Sequence, residues 1–359
     1  VNGLVGAARP APRRGRACPE PLATALELAA RVEAFTRFRW ATAEAERGGL
    51  TASAALRRGR RLDPWAQLWL HEGFAYGWAG RMLKGGRPTA RLAALLRSAP
   101  EELRLPLHTG VGMTLAKRFL DRERFPGPGS GGPRPMAGSG LDRRSVARVL
   151  RRMRRAVAEV SVGGMERAAF EPLGFVARTV CPWVLPGLGR ELARGGSPAA
   201  SAALWHGAGR GLYFVPQSLR PGVAAGVFHR AVREALGDDG RCASLAGAAW
   251  ALTLVNLRTP GVVTAALERE VGRCTPAERD AALSGGASAA TLWWRIHGRD
   301  RRLEALLETA PALRDPFADC RQRLRRGGEA ELVWRPGLAP ATPGLADSPA
   351  PYDASRGAA

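Results

Sequence analysis

His206 and Arg210 stand four residues apart in WHGAGRGLYF, residues 205–214, and Tyr213 follows three further on. In a helix that spacing puts the first two on one face. An imidazole beside a guanidinium can hold a carboxylate or phosphate, with arginine offering two parallel N–H donors. The competing assignment is an arginine bonded to an acidic residue or to carbonyls of a neighbouring helix. His71 and His108 form a second candidate pair. Each precedes a glycine, Gly73 and Gly110, by two residues, and Glu72 lies beside the first. In a stacked array both would reach one edge, as acid/base groups or metal ligands. Alternatively they are helix-start polar groups that bond loop carbonyls. Trp205, Leu245 and Leu283 at the equivalent places favour that assignment, and no metal site is expected.

The two glycines of this stretch, Gly207 and Gly209, suggest a phosphate loop. Such a loop follows a strand, occurs once, and ends in GK[ST] or completes GxGxxG. Here the pattern recurs, sits in helix-period sequence and lacks the lysine. Close helix packing is the better account, since glycine lets a neighbouring backbone approach. No GxSxG, HExxH, Walker or complete dinucleotide motif occurs, and no cofactor is expected. LDRRSVARVLRRMRRAVAEV puts Val146, Val149, Leu150, Met153, Val157 and Val160 on one side and crowds arginines between 143 and 155 on the other. That face could meet nucleic acid or an anionic membrane. A solvated basic face on an amphipathic helix is the alternative, and nucleic-acid binding is not the expectation. Trp65 and Trp69, and Trp293 and Trp294, either line an apolar groove or fill the core.

The 359 residues carry a formal charge of +22, which favours acidic partners, but lysine occurs only at Lys84 and Lys117. Arginine in place of lysine is what a GC-rich genome produces, so the charge is discounted as evidence of function. The five scattered cysteines form no CxxC, which suits a reducing cytoplasm. No apolar run reaches the ~20 residues that a membrane span needs. A cytoplasmic protein is expected.

Three segments are too rich in Pro, Gly and small polar residues to form a core. They are a basic leader at 1–20, a linker at 125–140 and a tail at 336–359. Between them, 21–124 and 141–335 show apolar residues three and four apart, as in ALELAARVEAFTRF and PTARLAALLRS. Glycine-bearing apolar stretches recur at Gly73, Gly110, Gly207, Gly247 and Gly285, spaced by 37, 97, 40 and 38 residues, with further glycines at Gly112 and Gly209. A second helical stretch separates the copies. This predicts an all-α array of helical hairpins, α-solenoid-like, with a period near 38 residues.

These stretches resemble, in order, the glycine motifs of a bacterial family of unknown function found in actinobacterial enediyne and related polyketide gene clusters. EGFAYGWAGRML, LHTGVGMTLAKRF, HGAGRGLYFV, CASLAGAAWALTLV and AALSGGASAATLWWR carry the likeness across about residues 60–300. The family's central Gly-Phe-His-Glu-Gly motif is replaced by FEPLGFVARTV, without the histidine. The resemblance implies an accessory protein of natural-product assembly that binds other cluster proteins or an apolar polyene intermediate. The alternatives are an enzyme that modifies such an intermediate with His and Arg groups in an inter-repeat pocket, and a nucleic-acid binder acting through the 143–155 face.

Overall fold

A computed structural model describes residues 20–85, 89–123, 125, 142–162, 164–215 and 223–325. The leader except Glu20, the tail, and all of the 125–140 linker except Phe125 lie outside the described residues. The described chain is all-α, with no strand among its residues. In order its helices are α1 (Glu20–Arg47), α2 (Ala52–Gly59), α3 (Pro64–Lys84), α4 (Thr89–Ser98), α5 (Glu101–Glu123), α6 (Arg143–Val160), α7 (Glu166–Phe170) and α8 (Pro172–Val180). There follow α9 (Leu185–Arg194), α10 (Pro198–Phe214), α11 (Val223–Glu234), α12 (Gly237–Val255), α13 (Pro260–Val271), α14 (Pro276–His297), α15 (Arg301–Thr309) and α16 (Arg314–Arg325).

Local sequence sets many of these boundaries. Proline opens α3, α8, α10, α13 and α14, where its missing N–H costs no intrahelical bond. Thr275 and Glu278 add a capping box at the start of α14. The α12 side chains from Cys242 to Val255 are all buried, so this helix is apolar on every side and must lie inside. α6 is its opposite and buries the predicted Val146, Val149, Leu150, Met153, Val157 and Val160.

The long helices pack on one another in sequence order. α1 lies on α3, α3 on α5, α5 on α7 and α8, α8 on α10, α10 on α12, and α12 on α14. Glycine makes each approach possible. A Cβ on Gly73 would collide with the Phe38 carbonyl of α1, and one on Gly110 with the Glu72 carbonyl of α3. Gly112 meets Ala169, Gly207 meets Glu171, and Gly285 meets Ala246 in the same way. At the α10–α12 crossing the arrangement is reciprocal: Gly209 faces the Ser244 carbonyl and Gly247 faces that of His206. The recurrent glycines are therefore packing positions. Side chains on both sides of 126–141 share one core, with α4 and α5 against α6.

The start of the chain also returns to its later part. α1 touches α12 and α13, and Trp65 Nε1 donates to the carbonyls of Leu254 at 3.0 Å and Val255 at 3.1 Å. Those carbonyls belong to the end of α12, where no further turn supplies an N–H to donate to them. Arg258 stacks on the Trp65 ring at 3.8 Å and pairs with Glu33, while Arg302 pairs with Asp63. Trp65→Phe keeps most of the ring contact but removes the donor. It is expected to cost about 1–2 kcal/mol, read as a lower urea midpoint.

Candidate functional site

Four side chains from three places in the chain meet inside the protein. Arg210 of α10 donates through Nη1 to Glu171 Oε2 at 2.9 Å and through Nη2 to Glu72 Oε1 at 3.2 Å. His206, one turn earlier, holds Glu171 Oε1 through Nδ1 at 3.2 Å. Glu171 joins α7 to α8, and Glu72 lies within α3. The glycines place them: Gly207, between His206 and Arg210, rides on the Glu171 backbone, and Gly110 rides on that of Glu72. Arg210 is further held between the Phe175 ring at 5.4 Å and the Trp250 ring at 4.7 Å.

Two carboxylates therefore share one guanidinium, and the histidine does not make up the difference. Burial pushes the His206 imidazole below its usual value, against the pull of Glu171, so it stays neutral. Burial raises the Glu72 carboxyl. Arg210 opposes that shift and the Glu171 carboxylate adds to it. Glu72 is thus the member of the cluster that retains a proton more readily than a free glutamate.

It is also the member that reaches open space. The Glu72 side chain keeps 10% of its exposure, whereas Glu171 keeps 0%. Glu72 and Arg210 form the polar end of a cavity of about 250 Å³. Its other walls are apolar and largely aromatic: Phe35 and Phe38 of α1, Trp69 of α3, Met113 of α5, Phe175 of α8 and Phe214 of α10. Trp69 meets Phe214 edge-on at 5.9 Å, and Phe214 meets Phe175 at 6.0 Å, so the rings brace one another. Phe35 and Thr179 line the cavity and are also solvent-exposed, which puts its mouth between α1 and α8.

The residues singled out in the sequence are distributed differently from the expected grouping. His206 and Arg210 do come together, but their charge partners are internal glutamates, so the pair is not an open anion site. Tyr213 leaves this group: its hydroxyl accepts from Asn256 Nδ2 at 2.8 Å, and Arg31 of α1 stacks on its ring at 4.2 Å. His108 is structural, with Nδ1 donating to the Arg104 carbonyl at 2.6 Å and Nε2 accepting from the Val162 N–H at 3.2 Å. His71 turns toward α2, where its ring fills the space a Gly59 side chain would need, and lines a separate cavity with Phe74 and Leu107. Burial lowers both histidines to about 4, so neither carries charge at neutral pH. Among the described residues no three His, Cys, Asp or Glu side chains converge as metal ligands.

Of the paired tryptophans, Trp69 lines the cavity and Trp65 braces it at 5.8 Å, while Trp293 is fully buried beside His297. On the basic face of α6, four arginines have acidic partners: Arg143 pairs with Glu191, Arg148 and Arg152 share Glu123, and Arg155 pairs with Glu159. No described helix is long and apolar enough to cross a membrane. No protein-family model, no curated protein and no solved structure matches the chain.

Proposed function

We propose that this protein binds an apolar, conjugated small molecule in the aromatic cavity, with one oxygen function of that molecule directed at Glu72. The observation that carries the reading is the cavity's asymmetry. Five aromatic side chains enclose it, and its ionisable side chains, Glu72 and Arg210, sit together. Apolar walls with a few convergent polar groups are what a small-molecule site needs. The Glu72 carboxylate can accept a hydrogen bond from a ligand hydroxyl, and when protonated it can donate one to a ligand carbonyl. The resemblance to proteins of enediyne and polyketide clusters supplies the class of molecule, a polyene intermediate. On this reading the glycine-bearing hairpins, recurring about every 38 residues, form a helical array whose inner helices carry the site.

A second reading gives the site a reaction. A carboxyl whose proton affinity is raised by burial, set against bound conjugated carbon, is placed to act as a general acid, and the neighbouring rings can stabilise developing positive charge. The raised Glu72 carboxyl supports it.

Diphenylhexatriene, a neutral polyene that fluoresces only out of water, tests the binding. Saturable, one-site enhancement is expected, and Met113→Trp, which fills the cavity, is expected to remove it without lowering the melting temperature. Enhancement that never saturates, or that survives Met113→Trp, would sink the proposal.

A further inference from the structure

α1 is built inside out. Its buried side carries Glu27 and Arg31, which pair with each other at 3.9 Å, while Leu22, Val32, Phe35 and Trp40 remain 51%, 49%, 52% and 37% exposed. Ala25 and Ala29 are exposed between them, so the outward face of this helix is apolar over most of its length. Scattered exposed apolar residues need no explanation, but an outward row on one helix does. The row is also edged with positive charge. Arg39 lies over the Phe35 ring at 5.6 Å, and Arg58 over Trp40 at 4.1 Å. Arg57 and Arg58 at the end of α2, and Arg60 and Arg61 just after it, are all exposed, with Arg58 the one set over Trp40. Of the acidic side chains on α1, Glu33 is taken by Arg37 and Arg258, Glu44 is paired with Arg47, and Glu46 is exposed.

We infer that this face docks on an anionic phospholipid membrane, the apolar row entering the acyl boundary and the arginines meeting the headgroups. Interfacial helices combine these two features, and aromatic rings topped by arginine suit that depth. The complementarity argues against the other occupants. Nucleic acid would satisfy the arginines and leave the apolar row bare. A second copy would bring its own positive charge, +22 by formula, to a rim that is already positive. The docked face includes the mouth of the cavity, since Phe35 belongs to both, and Val180, beside Thr179 on the opposite rim, is 50% exposed. An apolar ligand would then pass between bilayer and cavity without crossing water. That consequence rests on the cavity reading; the docking does not.

The test is co-sedimentation of the full chain with vesicles of phosphatidylcholine alone or mixed with phosphatidylglycerol. Binding to the mixed vesicles only is expected. Val32→Glu, and separately the pair Arg57→Glu and Arg61→Glu, should each weaken it by about tenfold or more, with circular dichroism unchanged. Arg144→Glu with Arg151→Glu on α6 should leave it as it was. Met113→Trp should also leave it unchanged, so that loss of diphenylhexatriene binding and loss of docking are separate results. Binding that ignores phosphatidylglycerol, that survives Val32→Glu, or that falls equally with the α6 pair overturns the inference. So does a dimer in solution that Val32→Glu dissolves, or duplex DNA that binds as tightly as the vesicles and depends on Arg57 and Arg61.

Discussion

Gly209→Ala is expected to lower stability by about 3 kcal/mol, at the upper end of what overpacking costs. The added methyl would land on backbone atoms of Ser244 and Ala248, which cannot rotate away as a side-chain tip could. α10 and α12 would have to separate, and α10 carries both His206 and Arg210. Diphenylhexatriene binding should weaken together with the urea midpoint. Gly226 is the control: it also lies in a helix, α11, and nothing stands within 4 Å of a Cβ built there. Gly226→Ala should raise the midpoint, by about 0.5–1 kcal/mol, because alanine is the better helix former. Equal effects at the two positions would mean that close approach is not why Gly209 is glycine.

Arg210→Met should cost about 3–5 kcal/mol near neutral pH, because it leaves two buried carboxylates without their shared cation. The loss should shrink on acidification. In the native wild type Glu72 already holds its proton above the ordinary glutamate value of 4.5, so its contribution to stability declines as pH rises from there toward its native pKa. Removing Arg210 removes the interaction that was lowering that pKa, so the window in which acid restores stability widens. His206 works in the same direction. Arg210 depresses its imidazole, and without that guanidinium it protonates more readily and offers Glu171 a replacement cation. Urea midpoints of wild type and variant should therefore converge as pH falls from neutral toward 4.5. Parallel profiles would show that the carboxylates do not depend on Arg210.

Much of this arrangement is legible in the sequence. Small residues recurring in helix-period sequence point to close packing, and Gly73, Gly110, Gly207, Gly247 and Gly285 each lie against the backbone of a neighbouring helix. The core face of α6 could be read because its polar and apolar sides are sharply divided. The composition of the site was harder to see. Glu72 sits next to His71, so adjacency suggested that they act together. Neighbours in an α-helix point about 100° apart. His71 faces α2, while Glu72 faces α10 and an arginine 138 residues away. No local pattern encodes that distance, nor the Glu171–His206 contact across 35 residues. The buried side of α1 is hard to read for another reason. Its apolar residues have helical spacing, and such a stripe ordinarily marks the core side. Here small alanines such as Ala34, Ala41 and Ala45 make the core contact, while Val32 and Phe35 face outward.

The return of the first helices to α12 and α13 has a kinetic consequence. Neighbouring hairpins pair over short stretches of chain, which is fast. Trp65 must wait for acceptors 189 and 190 residues away, Glu33 for Arg258 and Asp63 for Arg302. Such closures bear a larger entropic cost and come late. During synthesis α1 emerges long before its clamp exists, with its Glu27–Arg31 pair and its core-facing alanines still uncovered. Folding should therefore show a fast phase that builds the glycine crossings and a slower one that docks the beginning of the chain against α12 and α13. Trp65→Phe should slow the second phase and leave the first untouched.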